Sequence, residues 1–196
     1  MSKLKKQSNK NATKGNIRII AGQHRGRKLP VLMADGLRPT TDRVKETVFN
    51  WLMPYIQDTT CLDCFAGSGG LGFEALSRGA KSVTFIELNK AAAQQLKENK
   101  ALLKASNVDV VSTNAINFLQ QNQQTYSLIF IDPPFRKGLA QQAAQALAQQ
   151  GLSENALIYV EMETDNNNQV MPSHWQLLKE KVAGQVVYRL YQNTQP

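Results

Sequence analysis

Between residues 60 and 160 the chain alternates between short apolar runs and helical stretches, and that rhythm constrains the fold more than any single residue. Runs at 60–65, 82–86, 108–111, 126–131 and 156–160 are rich in β-branched and aromatic residues and read as strands. Helical stretches at 71–78, 90–104, 115–121 and 139–149 lie between them. Strand–helix alternation with short connections predicts an open α/β sheet, mostly parallel, with helices on both faces. The tail breaks the rhythm. Residues 176–181 and 185–191 flank Ala183-Gly184 and predict an antiparallel hairpin, which completes a seven-stranded mixed sheet.

The first strand ends in a glycine-rich turn. Gly67, Gly69 and Gly72 form a Gly-x-Gly-x-x-Gly pattern between strand and helix, the context in which such glycines let a ligand approach backbone N–H groups at a helix N-terminus. Glu87 lies twenty residues beyond Gly67, just after the second strand. A carboxylate there is placed to accept both hydroxyls of a ribose. A nucleoside-containing cofactor follows, and the pattern alone leaves open a nicotinamide dinucleotide or S-adenosyl-L-methionine.

The fourth strand ends in Asp132-Pro133-Pro134-Phe135. The two prolines fix φ, lack N–H groups and leave carbonyls as bare acceptors. A carboxylate beside those carbonyls can take both hydrogens of a planar amino group, while the Phe135 ring stacks on the base that carries it. As structure alone, the same residues make a turn with an apolar plug. Their position beyond a strand of the glycine-loop sheet favours an acceptor site.

Charge divides the chain. Residues 1–45 hold twelve Lys and Arg against Asp35 and Asp42, a balance of +10, whereas the rest holds eleven bases and thirteen acids. A positive front on a near-neutral body points to a polyanion, and nucleic acid is favoured because the bases from Arg18 to Arg43 alternate with glycine and apolar residues. Residues 1–15 predict a disordered basic tail. Residues 16–54 predict a basic hairpin (17–20 with 28–32) and a helix that Thr41 caps and Pro54 stops, leaving 55–196 as the cofactor-binding domain. Cys61 and Cys64 stand in one strand without a second cysteine pair. They read as reduced thiols of a cytoplasmic protein rather than as a metal site. No run approaches the length of a membrane span, and nothing demands more than a monomer.

These motifs resemble those of class I S-adenosylmethionine-dependent methyltransferases, which have a Rossmann-like fold. Residues 18–30, 37–43 and 180–185 are similar to the RsmD family, the 16S ribosomal RNA guanine-N2 methyltransferases. The resemblance implies catalytic roles for Asp132, Pro133, Pro134 and Phe135. It implies cofactor contacts from Asp63, Phe65, Ala66, Gly67, Ser68 and Gly69 in the loop, and from Glu87, Leu88, Asn114 and Ala115 after the next two strands. On the RNA side, Arg18, Arg25, Arg27, Lys28, Arg38, Thr40 and Arg43 become candidate contacts, with Arg136 and Lys137 beside the pocket. The partner implied is 16S ribosomal RNA, in an assembled or partly assembled small subunit. Asn89 departs from the family, which commonly has an acid there. Three other readings stay open on the residues: an adenine-N6 methyltransferase, a nicotinamide oxidoreductase, and a non-catalytic RNA-binding protein.

Overall fold

The computed structural model describes residues 14–32, 42–135, 137–166 and 170–195. A two-stranded antiparallel hairpin, β1 (Lys14–Arg18) and β2 (Lys28–Leu32), precedes helix α1 (Asp42–Leu52). There follow β3 (Thr60–Asp63), α2 (Gly70–Ser77), β4 (Ser82–Ile86), α3 (Lys90–Leu103), β5 (Val108–Val111), α4 (Ala115–Gln121), β6 (Tyr126–Ile131), α5 (Leu139–Gln149), β7 (Leu152–Glu163), β8 (Trp175–Ala183) and β9 (Val186–Asn193). The seven-stranded sheet runs in the order β5-β4-β3-β6-β7-β9-β8. β5 through β7 are parallel, and β9 lies antiparallel to both β7 and β8.

Two apolar layers sandwich that sheet. One gathers Phe73 and Leu76 of α2, Leu96 and Leu103 of α3, and Val48, Phe49 and Leu52 of α1 with Ile17, Ile19, Leu29 and Val31 of the front hairpin. The other gathers Leu119 of α4 and the alanine face of α5 (Ala140, Ala143, Ala144), where small side chains let the helix lie close to the strands. Cys61 belongs to the first layer and Cys64 to the second. Both thiols are fully buried, which pushes their pKa values up.

Polar anchors lock the front hairpin to the body. Buried Glu74 of α2 accepts the backbone N–H groups of Ile20 at 2.8 Å and Ala21 at 3.1 Å, and pairs with Arg78 at 2.7 Å. Buried Lys45 donates to the Arg18 carbonyl at 2.6 Å and pairs with Asp42 at 3.1 Å. Asn99 of α3 donates to the Pro30 carbonyl at 2.9 Å. The turn after Ala21 grips the end of α2, with Gln23 N–H on the Ser77 carbonyl at 2.7 Å and His24 N–H on Ser77 Oγ at 2.9 Å. Gly22 has to be glycine there: its φ is +78°, and a Cβ would lie 1.8 Å from the Ser77 oxygen.

Several boundaries differ from the sequence reading. The first hairpin strand spans Lys14–Arg18, starting inside the expected tail and ending before Ile19. The N–H groups of Ile20 and Ala21 serve Glu74 instead of a partner strand, so the ladder cannot continue through them. β3 stops at Asp63 because the chain turns at Phe65, although Cys64 N–H still reaches the Phe130 carbonyl at 3.0 Å. β7 is longer than its apolar stretch, with a register shift between Tyr126 and Leu128 of its neighbour β6. Thr41, expected to cap α1, lies outside the described residues.

Candidate functional site

The strand order leaves a crevice where β3 and β6 lie side by side. Their helices return in opposite directions along the sheet, which is where open α/β sheets bind ligands beyond the C-terminal strand ends. Each of four adjacent strands delivers an acid to that rim. Asp63 ends β3, Glu87 follows β4, Asp132 follows β6, and Glu161 lies near the end of β7. Asp63 is buried, and its carboxyl is pushed up to about 7, first by burial and then by the charges of Asp132 and Glu87. N–H groups of Gly72 (3.1 Å to Asp63 Oδ2) and Phe65 oppose that rise.

The three motif glycines do different things. Gly67 has φ +50° and donates its N–H to Glu87 Oε2 at 2.8 Å, tying the turn to the end of β4. Gly69 has φ +77° and sits at the N-cap of α2, where a Cβ would lie 2.7 Å from the Phe73 ring. Gly72 lets α2 approach β4: a Cβ there would come within 2.2 Å of the Phe85 ring. So one glycine shapes the ligand turn and two permit close packing behind it.

Glu87 Oε1 accepts the Asn89 N–H at 2.7 Å, so each oxygen of this carboxyl carries one backbone donor. A carboxylate has about four acceptor positions, which leaves room for two hydroxyls. Asn89, the departure from the family pattern, caps α3 by accepting from Ala91 and Ala92 N–H at 2.9 and 3.1 Å. Leu88 projects 68% exposed beside it. Asn114 caps α4 through the Asn117 N–H at 3.1 Å, followed by buried Ala115. Ala66 is buried, whereas Phe65 and Ser68 stay partly open at the turn.

The Asp132–Phe135 corner is accessible. Pro133 is buried, Pro134 is exposed and the Phe135 ring is 45% exposed. Pro133, Pro134 and Phe135 line an open recess with Lys137, Gly138, Glu161 and Met162. Because Asp63 pairs with Phe130 across β3 and β6, Asp132 emerges two residues beyond the glycine turn's own strand end. Strands lie about 4.8 Å apart, so corner and turn belong to one crevice.

Glu161 escaped the sequence reading. The Tyr159 hydroxyl donates to its Oε2 at 3.1 Å, and burial together with the Asp132 charge pushes its carboxyl up. A signal was present: like Glu87 and Asp132, it is the first acid after an apolar strand run.

The basic front is only partly free to meet a ligand. Arg18 pairs with Asp42 at 3.0 Å while staying 58% exposed. Arg27 donates to the Leu102 carbonyl at 2.9 Å. Arg25, Lys28, Arg43 and Lys137 are exposed, while Arg38, Thr40 and Arg136 fall outside the described residues. His24 sits in the hairpin turn, its pKa lowered by burial and then by Arg27. Trp175 is buried against Tyr191, and Trp51 packs on the core.

Sheet order, glycine turn and strand-end acids together define a Rossmann-like class I methyltransferase fold. The family model described as Conserved hypothetical protein 95 matches residues 17–192. Ribosomal RNA small subunit methyltransferase D of Escherichia coli K12 is 58% identical over 179 residues, covering 91% of this chain and 90% of that one. Its Haemophilus influenzae counterpart is 57% identical over 195 residues, 97% of this chain and all of that one. The solved Escherichia coli yhhF protein superposes with a TM-score of 0.86 at 55% identity, covering 92% of this chain and 100% of that chain. The chain belongs to this family, the RsmD methyltransferases. Among the described residues, no helix is long and apolar enough to cross a membrane.

Proposed function

We propose that the protein methylates the exocyclic N2 amine of a guanine in 16S ribosomal RNA, with S-adenosyl-L-methionine as donor and an assembled or partly assembled small subunit as substrate. The observation that carries this reading is the adjacency of the Asp132–Phe135 corner to the glycine turn across β3 and β6.

The residues present fit the donor. S-adenosylmethionine supplies an activated methyl on a cationic sulfur, and a cation held at the rim of Asp63, Glu87, Asp132 and Glu161 would favour the ionised form of the raised Asp63 and Glu161 carboxyls. Glu87 has acceptor capacity for the ribose hydroxyls, Leu88 offers an apolar face to the adenine, and the Gly67–Gly69 turn admits the amino-acid end against backbone. Asn114 and Ala115 would complete the donor's contacts.

Guanine N2 is a poor nucleophile because its lone pair is delocalised into the ring. The Asp132 carboxylate and a proline carbonyl accept its two hydrogens, which favours pyramidalisation and turns the lone pair away from the ring. As positive charge builds on N2, the same preorganised acceptors stabilise it more than they stabilised the neutral amine. The cationic N2-methylated amine formed at transfer is strongly acidic and loses its proton to the Asp132 carboxylate or to water, so no strong general base is required. Phe135 holds the base by stacking, worth roughly 1–3 kcal/mol, and a base stacked in RNA has to be turned out to reach it. Residues 16–54 form the RNA-facing front and 55–196 the donor-binding unit. Arg25, Lys28, Arg43 and Lys137 are its exposed phosphate contacts, which set register more than sequence.

The test is transfer of a labelled methyl group to small subunits from cells lacking the protein, followed by mass spectrometry of the modified nucleoside. N2-methylguanosine is the expected product. N6-methyladenosine, or no transfer to subunits or free ribosomal RNA, overturns the reading.

A further inference from the structure

We propose that Glu161 is a specificity-determining residue of the base pocket: its carboxyl accepts the N1–H of the guanine whose N2 amine Asp132 holds. This rests on the guanine-N2 reading above and adds the element that separates guanine from other amino-purines.

The placement follows from register. Ile131 of β6 pairs with Val160 of β7 in parallel, so Asp132 and Glu161 occupy the next positions on neighbouring chains. Glu161 lines the same recess as Pro133, Pro134 and Phe135. Its aim is fixed from behind. Tyr159, wholly buried, donates its O–H to Glu161 Oε2 at 3.1 Å. The Tyr159 ring stacks on Tyr188 of β9, with centroids 6.5 Å apart and planes 10° from parallel. Such a carboxyl is a positioned group rather than a solvated strand-end acid.

Its presence is costly as structure alone. Burial penalises the Glu161 charge, and the Asp132 charge beside it repels it further. The hydrogen bond from Tyr159 is a small return for placing the Glu161 carboxyl there. A ligand presenting two adjacent N–H donors reverses the balance, because each donor favours the charged carboxylate it meets. Guanine is such a ligand: N1–H and the N2 amine are neighbours on its Watson–Crick edge. Adenine pairs its amine with an unprotonated N1, whose lone pair would face the Glu161 oxygens. The Asp-Pro-Pro-Phe corner alone recognises an amine; Glu161 beside it recognises which ring carries that amine.

The experiment uses small subunits reconstituted with RNA whose target guanine is replaced by 2-aminopurine, which keeps the 2-amino group and lacks N1–H. Single-turnover methyl transfer to guanine and to 2-aminopurine subunits is compared for the full-length wild type, E161Q and E161A. Thermal melting and an S-adenosylmethionine titration verify the fold of each variant. The wild type is expected to favour guanine by about 10- to 100-fold, in line with the loss of one base-edge recognition pair. E161A brings that ratio toward parity. E161Q narrows it as well, because its amide can turn an N–H toward the unprotonated N1, and it serves alone if E161A fails to fold. A wild type indifferent to the substitution, or a folded variant that keeps the wild-type ratio, overturns the assignment of Glu161. A wild type that transfers nothing to guanine subunits overturns the guanine-N2 reading itself, and the inference with it.

Discussion

Gly67 donates its backbone N–H to Glu87 Oε2 at 2.8 Å, which makes the glycine turn beyond β3 and the acid beyond β4 one rigid piece. Glu87 therefore shapes the turn as well as facing the crevice. Replacing it with alanine removes acceptors for two hydroxyls and loosens the loop. S-adenosylmethionine affinity in a calorimetric titration is expected to fall by at least about a hundredfold, from two charge-assisted hydrogen bonds worth roughly 1.5–3 kcal/mol each. Unchanged affinity would remove Glu87 from the donor site.

Asp132 is expected to separate binding from chemistry. In Asp132→Ala the donor should still bind with nearly wild-type affinity, while methyl transfer drops by at least about a hundredfold, the scale seen when a preorganised charge-stabilising group is lost. Turnover close to wild type would rule out its role at the amine.

Glu74 is a structural counterpart to these residues. It is buried and holds Ile20 N–H, Ala21 N–H and the Arg78 guanidinium together. Glu74→Ala leaves that arginine and two backbone donors without their acceptor. The cost is about 3–5 kcal/mol in urea unfolding, as for other broken buried pairs. A loss below about 1 kcal/mol would mean the front hairpin is not anchored through this carboxylate.

Asp63 gives the protein a pH signature. Its folded-state value of about 7 lies above the ordinary 3.8, so the native state holds a proton that the unfolded chain releases. The contribution is fully present below the unfolded value and is lost as pH rises through the folded one, making stability fall between pH 4 and 7 by on the order of a few kcal/mol. Unfolding curves at several pH values should show that decline, and Asp63→Asn should make it shallower, leaving the share of the raised Glu161 carboxyl. An identical slope in the variant would contradict the cause assigned.

The basic front calls for charge substitutions rather than truncation, because Ile17, Ile19, Leu29 and Val31 are part of the main core. Arg25→Ala and Lys28→Ala should each lower the salt slope of RNA binding by about one while leaving the melting temperature nearly unchanged. A slope that does not move would place the RNA face elsewhere.

The amino-acid sequence by itself determined which segments become strands and helices, the glycine turn, the Asp-Pro-Pro-Phe stop, and the acids that follow β4 and β6. These are local matters of side-chain period, backbone freedom and turn chemistry, decided within a few residues. Tertiary structure alone decided that β3 lies beside β6, that Asp63 and Glu161 both feel the charge of Asp132, and that Ile20 and Ala21 leave their hairpin ladder for Glu74. Asn89 shows the divide within one residue: its identity marked a departure from the family, but only the fold showed its side chain capping α3 while its N–H steadies Glu87. Such contacts depend on which buried donors and acceptors the packed layers bring face to face, and a burial cost shared between distant segments is not encoded in the neighbours of either one.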